Sequence, residues 1–582
     1  MDLSSDQSTL APSKNNSQTP SMADKPTGDM SESNSLQDEK VNEKSQNVTE
    51  PRDKADQPSD DEEEDDSDVQ YPKAFKKLLI TLSLCFSIFC LALDNTILAT
   101  AIPKITDQFK SINDVGWYAS SYLLTTCAFQ LGFGKLYTFL NLKWVYLIAL
   151  GLFELGSLVC AAAPNSEALI IGRAIAGVGS AGLFTGAILI VAATVPLRER
   201  PLFTGIIGGM YGISSVAGPL MGGAFTDNVT WRLCFYINLP LGLLTAIFIF
   251  FFFHPSSSAG GKHAKVNSWK EYFVIFDIPG LLVLLPTIIC LLLALQWGGS
   301  RYQWNDGRII ALLVLFGVLA LCFVAVQWKM GENATVPGRI LKQRTVAGSA
   351  WFAAFLGGSF FSLLYYIPIW FQAIQGVSAT QSGIRNLPLV LGVTVFSIFS
   401  GAGTQILGYY TPWVIASSVL TSVGAGLFST FTVDTPIGQW IGYQIIYGAG
   451  VGFGLQLTLI AVQTVLPKKD VPTGTAVIIF SQTLGGSIFV SVAQNINTNQ
   501  LLKGLQSAVP SLDPTLVLRT GATELKNIVP REFLDQVLVA YNSALTQTFY
   551  VGVATAALSM FGALAMEWKS IKGNKKTDTP AA

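Results

Sequence analysis

The chain has 582 residues, half of them apolar and only 13% charged, with a net charge of −1 and a mean hydropathy of +0.44. A soluble chain of this length divides into domains with charged surfaces, so that composition sets aside a soluble globule. A charge balance this near zero also offers no basic field for nucleic acid.

Residues 1–72 are Ser-, Asp-, Glu-, Lys- and Gln-rich with hardly an aromatic, and read as a disordered acidic cytoplasmic tail. Residues 60–66 are unbroken acids with Ser59 directly before them. That pattern fits either a solvated tail or one modified by an acid-directed kinase. No cleavable signal is read ahead of the first apolar stretch. Apolar stretches long enough for a bilayer core of about 30 Å then recur. They read as spans near 78–101, 115–134, 144–163, 168–193, 203–224, 233–253, 277–297, 309–328, 347–371, 384–404, 411–431, 437–464, 473–494 and 546–567. The expectation is an all-α membrane protein with fourteen transmembrane helices and both termini on one side.

Loop charges orient it. With the tail inside, the inner segments hold Lys73, Lys76, Lys77, Lys135, Lys143, Arg198, Arg200, Lys262, Lys265, Lys270, Lys329, Arg339, Lys342, Arg344, Lys468, Lys469 and the C-terminal lysines. The short outer loops hold only Lys104, Lys110, Arg232, Arg301, Arg308 and Arg385. A long outer loop is expected at about 495–545. Of four glycosylation sequons, only Asn228 falls outside, close to the membrane; Asn15, Asn47 and Asn333 fall inside. The seven cysteines lie within apolar stretches without metal or disulfide spacing and read as small hydrophobes. Both histidines, His254 and His263, lie in one polar loop, so none serves proton transfer within the membrane.

An internal repeat is visible at an offset of 271 residues. Gly177-Val178-Gly179 matches Gly448-Ala449-Gly450, Pro196 matches Pro467, and Pro201 matches Pro472. This pairs the fourth span with the twelfth. It divides the chain into a six-helix half at 73–254, a linker at 255–346 carrying two extra central helices, a second six-helix half at 347–568, and a cytoplasmic tail at 569–582. Repeated halves with a substrate site between them are a common plan for secondary transporters.

Ionisable groups within the spans are few, and each is costly in lipid unless it faces protein or water. Arg173 opens the fourth span and stays charged; the alternative to a buried role is snorkelling to the outer headgroups. Asp94 lies in the outer half of the first span, as a proton carrier that could meet Arg173 or as a helix-end acid wetted from outside. Glu154, mid-way along the third span, reads equally as a proton site or as a structural hydrogen-bond donor. The fifth span carries Gly212, Gly218, Pro219, Gly222 and Gly223. Proline there bends the helix and the glycines allow close contact.

These residues resemble the major facilitator superfamily, and within it the fourteen-span drug:proton antiporters, over about 73–568. Leu93-Asp94-Asn95-Thr96 through Ala101-Ile102-Pro103 is similar to the family's first-helix motif, and Gly172-Arg173 through Gly179 to its fourth-helix arginine motif. Gly212 through Gly223 is similar to the fifth-helix antiporter motif, and 231–240, from Trp231 to Pro240, to a further signature. The resemblance implies proton coupling through Asp94 and Arg173, with Glu154 a further candidate, and exchange rather than symport. Trp117-Tyr118, Gly134-Lys135-Leu136-Tyr137, the stretch 153–157 from Phe153 to Ser157, and Gly442-Tyr443-Gln444 look more finely like fungal toxin and multidrug efflux pumps. Those export secondary metabolites or azole-type drugs, usually at the plasma membrane, with vacuolar or vesicle membranes as alternatives. In the loop between the second and third spans, Thr138 replaces the family's Asp, Asn141 its Gly and Leu142 its Arg, so a gating relay built on that Asp is absent or rewired. The thirteenth span holds no acid between Thr475 and Ala493, which points to neutral or weakly charged cargo.

An amphipathic cargo calls for an aromatic cavity with a few polar groups. Tyr365 and Tyr366 in the aromatic ninth span, with Gln130, Asn238, Gln456 and Gln482, are the candidates; each also reads as a packing or helix-tying residue. The expected function is proton-driven export of amphipathic small molecules, with the proton gradient as energy source, no cofactor, no metal and no enzymatic chemistry. The alternative is an importer of the same fold, such as a siderophore:proton symporter.

Overall fold

The computed structural model describes residues 72–110, 114–255, 269–299, 302–510 and 529–572. Ser59 with the acidic run, the sequons at Asn15 and Asn47, His263 and the last lysines lie outside the described residues. The named elements are helices throughout. In the first half these are α1 (Ala74–Phe109), α2 (Val115–Phe139), α3 (Leu142–Ala162), α4 (Ser166–Thr194), α5 (Arg200–Asn228), α6 (Leu233–Tyr236) and α7 (Asn238–Phe252). Then come α8 (Trp269–Ile275), α9 (Ile278–Trp297), α10 (Gly307–Met330) and α11 (Gly338–Lys342). The second half has α12 (Arg344–Ala373), α13 (Ala379–Arg385), α14 (Leu387–Leu407), α15 (Thr411–Phe428), α16 (Ile437–Gly454), α17 (Leu457–Val465), α18 (Val471–Ala508) and α19 (Arg531–Ala565).

Local chemistry explains many of the boundaries. Asn141 caps α3 by accepting from Lys143 N at 3.0 Å, and Asn165 caps α4 by accepting from Ala168 N at 2.9 Å. Prolines stand in the first turns of α5, α9, α14, α15 and α18, where no backbone donor is lost. Among the described residues, twelve helical segments are long and apolar enough to cross a bilayer. The other two long helices, α2 and α5, have the length but are diluted by Ser, Thr, Gln and Gly.

The repeat read from glycines and prolines extends to whole helices. Shifted by 271 residues, α4 falls on 437–465, the outer bounds of α16 and α17 together, and α2 falls on 386–410, around α14. Likewise α1 falls on 345–380 and α5 on 471–499, over α12 and α18. Packing obeys the same relation: α5 packs on α14, and its shifted copy α18 packs on α2, so two equivalent seams join the halves. Aromatic and aliphatic cores fill each half, around Phe153 in the first and Trp370 in the second. α9 lies against α2 and α18, and α10 packs on α9 with its surface almost wholly uncovered.

One stretch expected as loop is built differently. The outer loop expected at 495–545 is largely helix, because α18 runs on to Ala508 and α19 begins at Arg531. The polar residues of these extensions hid them from an apolarity criterion. Leu501 and Leu505 of α18 and Val537 of α19 are nonetheless buried in one cluster. The centre of that loop, 511–528, lies outside the described residues.

Candidate functional site

α4 brings Arg173 into the interior of the first half because its small residues let neighbours come close. A Cβ on Gly177 would run into the Tyr122 carbonyl and Thr125 of α2. Arg173 Nη1 pairs with Asp94 Oδ2 of α1, and both side chains are 1% exposed. Arg173 Nε donates to the Tyr118 carbonyl at 2.8 Å, and its guanidinium lies 4.4 Å from the centre of the Tyr122 ring. Both side chains are thus packed among neighbouring helices, away from solvent. The pair is also unfinished: Asp94 Oδ1 and Arg173 Nη2 are buried without hydrogen-bond partners. Such orphaned polar atoms are costly in a low-dielectric interior.

Glu154 sits behind this pair, between α3 and α7. A Cβ on Gly242 of α7 would collide with its carboxyl, and both carboxyl oxygens are buried and unpartnered. Asn238 at the start of α7 donates from Nδ2 to Ser157 Oγ at 3.1 Å, and its Oδ1 is also orphaned. The residues Asp94, Arg173, Glu154 and Asn238 thus gather within the first half on α1, α3, α4 and α7.

The glycines of α5 connect this cluster to the other half. A Cβ on Gly218 would lie 2.7 Å from Thr96 Cβ, two residues along α1 from Asp94. Thr96 Oγ1 donates to the Ser214 carbonyl at 3.1 Å, and Ser214 Oγ donates to the Phe89 carbonyl at 3.0 Å. Six residues earlier, a Cβ on Gly212 would meet Thr394 of α14, whose Oγ1 donates to the Gly209 carbonyl at 3.3 Å. Pro219 lies inside α5 and touches the point where a Gly383 Cβ would project, 3.3 Å away. Gly222 is buried, whereas Gly223 has open space beside it, its nearest neighbour being Thr380 at 3.9 Å.

The polar candidates for a cargo cavity are dispersed. Gln130 donates to Thr185 Oγ1 and ties α2 to α4. Gln456 occupies the break between α16 and α17, facing Gly208 of α5 across the two halves, with Oε1 buried and unpartnered. The backbone carbonyl of Gln482 presses on Gly357 of α12. Tyr365 and Tyr366 form an edge-to-face pair at 5.2 Å farther along α12. Most of that aromatic helix is core: Phe352, Trp370 and Phe371 are fully buried, while Trp351 and Tyr365 are exposed.

At the end of the bundle where α1 begins and α19 finishes, a set of contacts not foreseen from the sequence closes the halves together. Thr138, at the position of the family's Asp, lies 3.2 Å from Thr473 of α18. Arg339 of α11 chelates Asp470, with Nη2 to Oδ1 at 2.8 Å, and reaches Glu332 at 2.5 Å. Hydrogen bonds to Asp470 and then, against the cost of burial, to Glu332 hold the Arg339 proton more firmly than usual. Lys135 donates to the Asn333 carbonyl at 3.1 Å. Asp277 is buried and accepts from Gly280 N, Gln327 Nε2, Thr335 N and Thr335 Oγ1 within 2.6–2.9 Å, knotting the linker.

Two repeated helical halves, joined at equivalent seams and holding an ionisable pair in the apolar interior, define a multi-pass membrane transporter. The chain belongs to the Major Facilitator Superfamily, whose model matches residues 84–490. It is 58% identical over 513 residues to a protein named MFS-type efflux pump MFS1 of Trichophyton rubrum, covering 88% of this chain and 95% of that one. It is 53% identical over 501 residues to efflux pump aflT of Aspergillus parasiticus, covering 86% and 97%. In fold it is similar to a bacterial homolog of the human lysosomal transporter Spinster, in an inward-facing, unoccupied conformation. That likeness has a TM-score of 0.52 at 14% identity and covers 86% of this chain and 99% of that one.

Proposed function

We propose that this protein is a proton-coupled antiporter that exports uncharged or weakly charged amphipathic small molecules from a fungal cell. The observation that carries the proposal is the buried, incompletely bonded Asp94–Arg173 pair. An ionisable pair kept in an apolar interior is a functional feature by default. The names of the relatives support the outward direction, and the α5 glycine seam supports exchange.

In this reading α2 and α5 cross the bilayer with the twelve more apolar segments, giving fourteen spans, and α9 and α10 are the extra central pair. The lysine and arginine distribution supports a cytoplasmic position for the closed end and both termini, and the plasma membrane is the proposed location. Asp94 takes a proton from the outer side and its attraction to Arg173 weakens. Arg173 keeps the Tyr118 carbonyl and the Tyr122 ring, so the guanidinium stays lodged while α1 is freed to shift. Because Thr96 lies against Gly218, and Gly212 lies against Thr394, a shift of α1 is passed through α5 to α14. Glu154, behind the pair, is the second acid and a further proton site beside Asp94. Gln456, at the helix break between the halves, is the polar contact for cargo in transit. The gradient drives export only so far as cargo and proton favour opposite states of the seam.

Reconstituted vesicles test this. With an imposed pH difference, wild-type protein should accumulate a radiolabelled azole, and Asp94→Asn should lose the pH-driven component. Full pH-driven accumulation by Asp94→Asn would remove Asp94 from the mechanism.

A further inference from the structure

At the 271-residue offset, Asp94 corresponds to Tyr365 and Arg173 to Gln444. The surroundings correspond too. Arg173 Nε donates to the Tyr118 carbonyl, and Leu389, the counterpart of Tyr118, donates its N–H to Gln444 Oε1 at 3.2 Å. Gln444 Nε2 also donates to the Arg385 carbonyl at 3.0 Å. The second half therefore keeps the helix-tying contact of the ion pair but carries an amide and a phenol in place of the two charges.

The difference opens space. Asp94 is sealed at 1% exposure, whereas Tyr365 is 58% exposed. It faces a half-open cavity of about 190 Å³ between α12, α18 and α19, toward the end of the bundle opposite the Arg339–Asp470 contact. Tyr366 and Tyr541 share its wall with Gln494, Asn497 and Thr498, and no charged residue lines it. Asn497 Oδ1 is buried there without a hydrogen-bond partner. Among the described residues none of the three tyrosine hydroxyls is hydrogen-bonded either.

Each feature selects a ligand. Three rings at one cavity offer faces and edges to a flat aromatic molecule. An orphaned buried acceptor favours a ligand that brings an O–H donor, because a partner recovers the penalty of leaving it unmade. The uncharged lining penalises an ion, which would shed its water without compensation. The volume admits two fused rings with substituents.

We propose that this cavity is a binding site for flat, uncharged phenols, held among Tyr365, Tyr366 and Tyr541 with a ligand hydroxyl donating to Asn497. That the occupant is exported cargo rests on the antiporter reading; the binding itself does not. The two halves then divide the work, the first holding the proton at Asp94 and the second holding the organic molecule at the equivalent position.

The test uses the full chain in lipid nanodiscs, with binding measured by equilibrium dialysis against empty nanodiscs. The probes are 2-naphthol, which donates a hydrogen bond, and 2-methoxynaphthalene, which does not. Wild-type protein should bind 2-naphthol about tenfold more tightly, the worth of one such bond. Asn497→Leu should abolish that preference, and Tyr365→Trp, which fills the cavity, should weaken both probes at least tenfold. Equal affinities in the wild type, or a preference that survives Asn497→Leu, would overturn the assignment. Should Asn497→Leu fail to fold, undiminished binding of both probes to folded Tyr365→Trp would do the same. Tight 2-naphthol binding without proton-driven transport would sink the antiporter reading and leave this site standing. Proton-driven transport without the preference would do the reverse.

Discussion

Removing the members of the Asp94–Arg173 pair singly and together should give a strongly non-additive result. Breaking a buried ion pair by deleting one partner typically costs about 3–5 kcal/mol, because the other charge stays buried. Asp94→Leu leaves Arg173, which cannot shed its proton, with only the Tyr118 carbonyl and the Tyr122 ring. It should therefore fall in that range, about a thousandfold in the folded-to-unfolded ratio at the middle of it. Arg173→Leu leaves a carboxyl that can take up a proton, so its cost should be nearer the ~1–3 kcal/mol of a buried unsatisfied polar group. Asp94→Leu combined with Arg173→Leu removes both charges and their orphaned atoms, and should be within about 1 kcal/mol of the wild type. Six of the seven cysteines are buried, so a thiol-reactive dye reports unfolding on heating in detergent. The expected order of melting temperature is double variant above Arg173→Leu above Asp94→Leu. A double variant as unstable as the two singles summed would refute the reasoning, since the two side chains would then not be supporting each other. The folded double variant should retain no pH-driven transport.

Three further outcomes follow from the α5 glycines and the Arg339 contact. Gly218→Ala forces a Cβ to 2.7 Å from Thr96 Cβ and 3.1 Å from the Ile97 nitrogen, so it should cost about 1–3 kcal/mol as overpacking. Gly223→Ala enters open space and should stay within about 0.5 kcal/mol in the same melting assay. Arg339→Ala removes the chelation of Asp470, and in a Cys322→Ser background it should raise maleimide labelling of Thr473→Cys several-fold. Unchanged labelling would mean that the Arg339 contact does not hold that end closed.

The plan of the molecule was legible because its signals are local or repeated. Apolar length gave the helices, and a handful of glycines and prolines at one offset gave the two halves, which the paired seams α5–α14 and α18–α2 reproduce. Asp94 and Arg173 stood out because charge is rare in apolar stretches, although only the fold brings them together across 79 residues. The extensions of α18 and α19 were illegible since Asn495, Asn497, Asn499 and Gln500 read as loop while their buried neighbours are interspersed. Arg339 counted only among the inner-segment charges, because a pairing with Asp470 over 131 residues leaves no local pattern. The correspondence of Tyr365 with Asp94 was present in the same offset, but glycine and proline carried that alignment and a tyrosine opposite an aspartate carries no such mark.

The most direct measurement of the exchange is proton release when cargo binds to purified protein in weakly buffered solution, followed with a pH indicator. Wild-type protein loaded with a proton should release it as the azole binds, and Asp94→Asn should bind the azole with no release. The same release from Asp94→Asn as from the wild type would contradict the account.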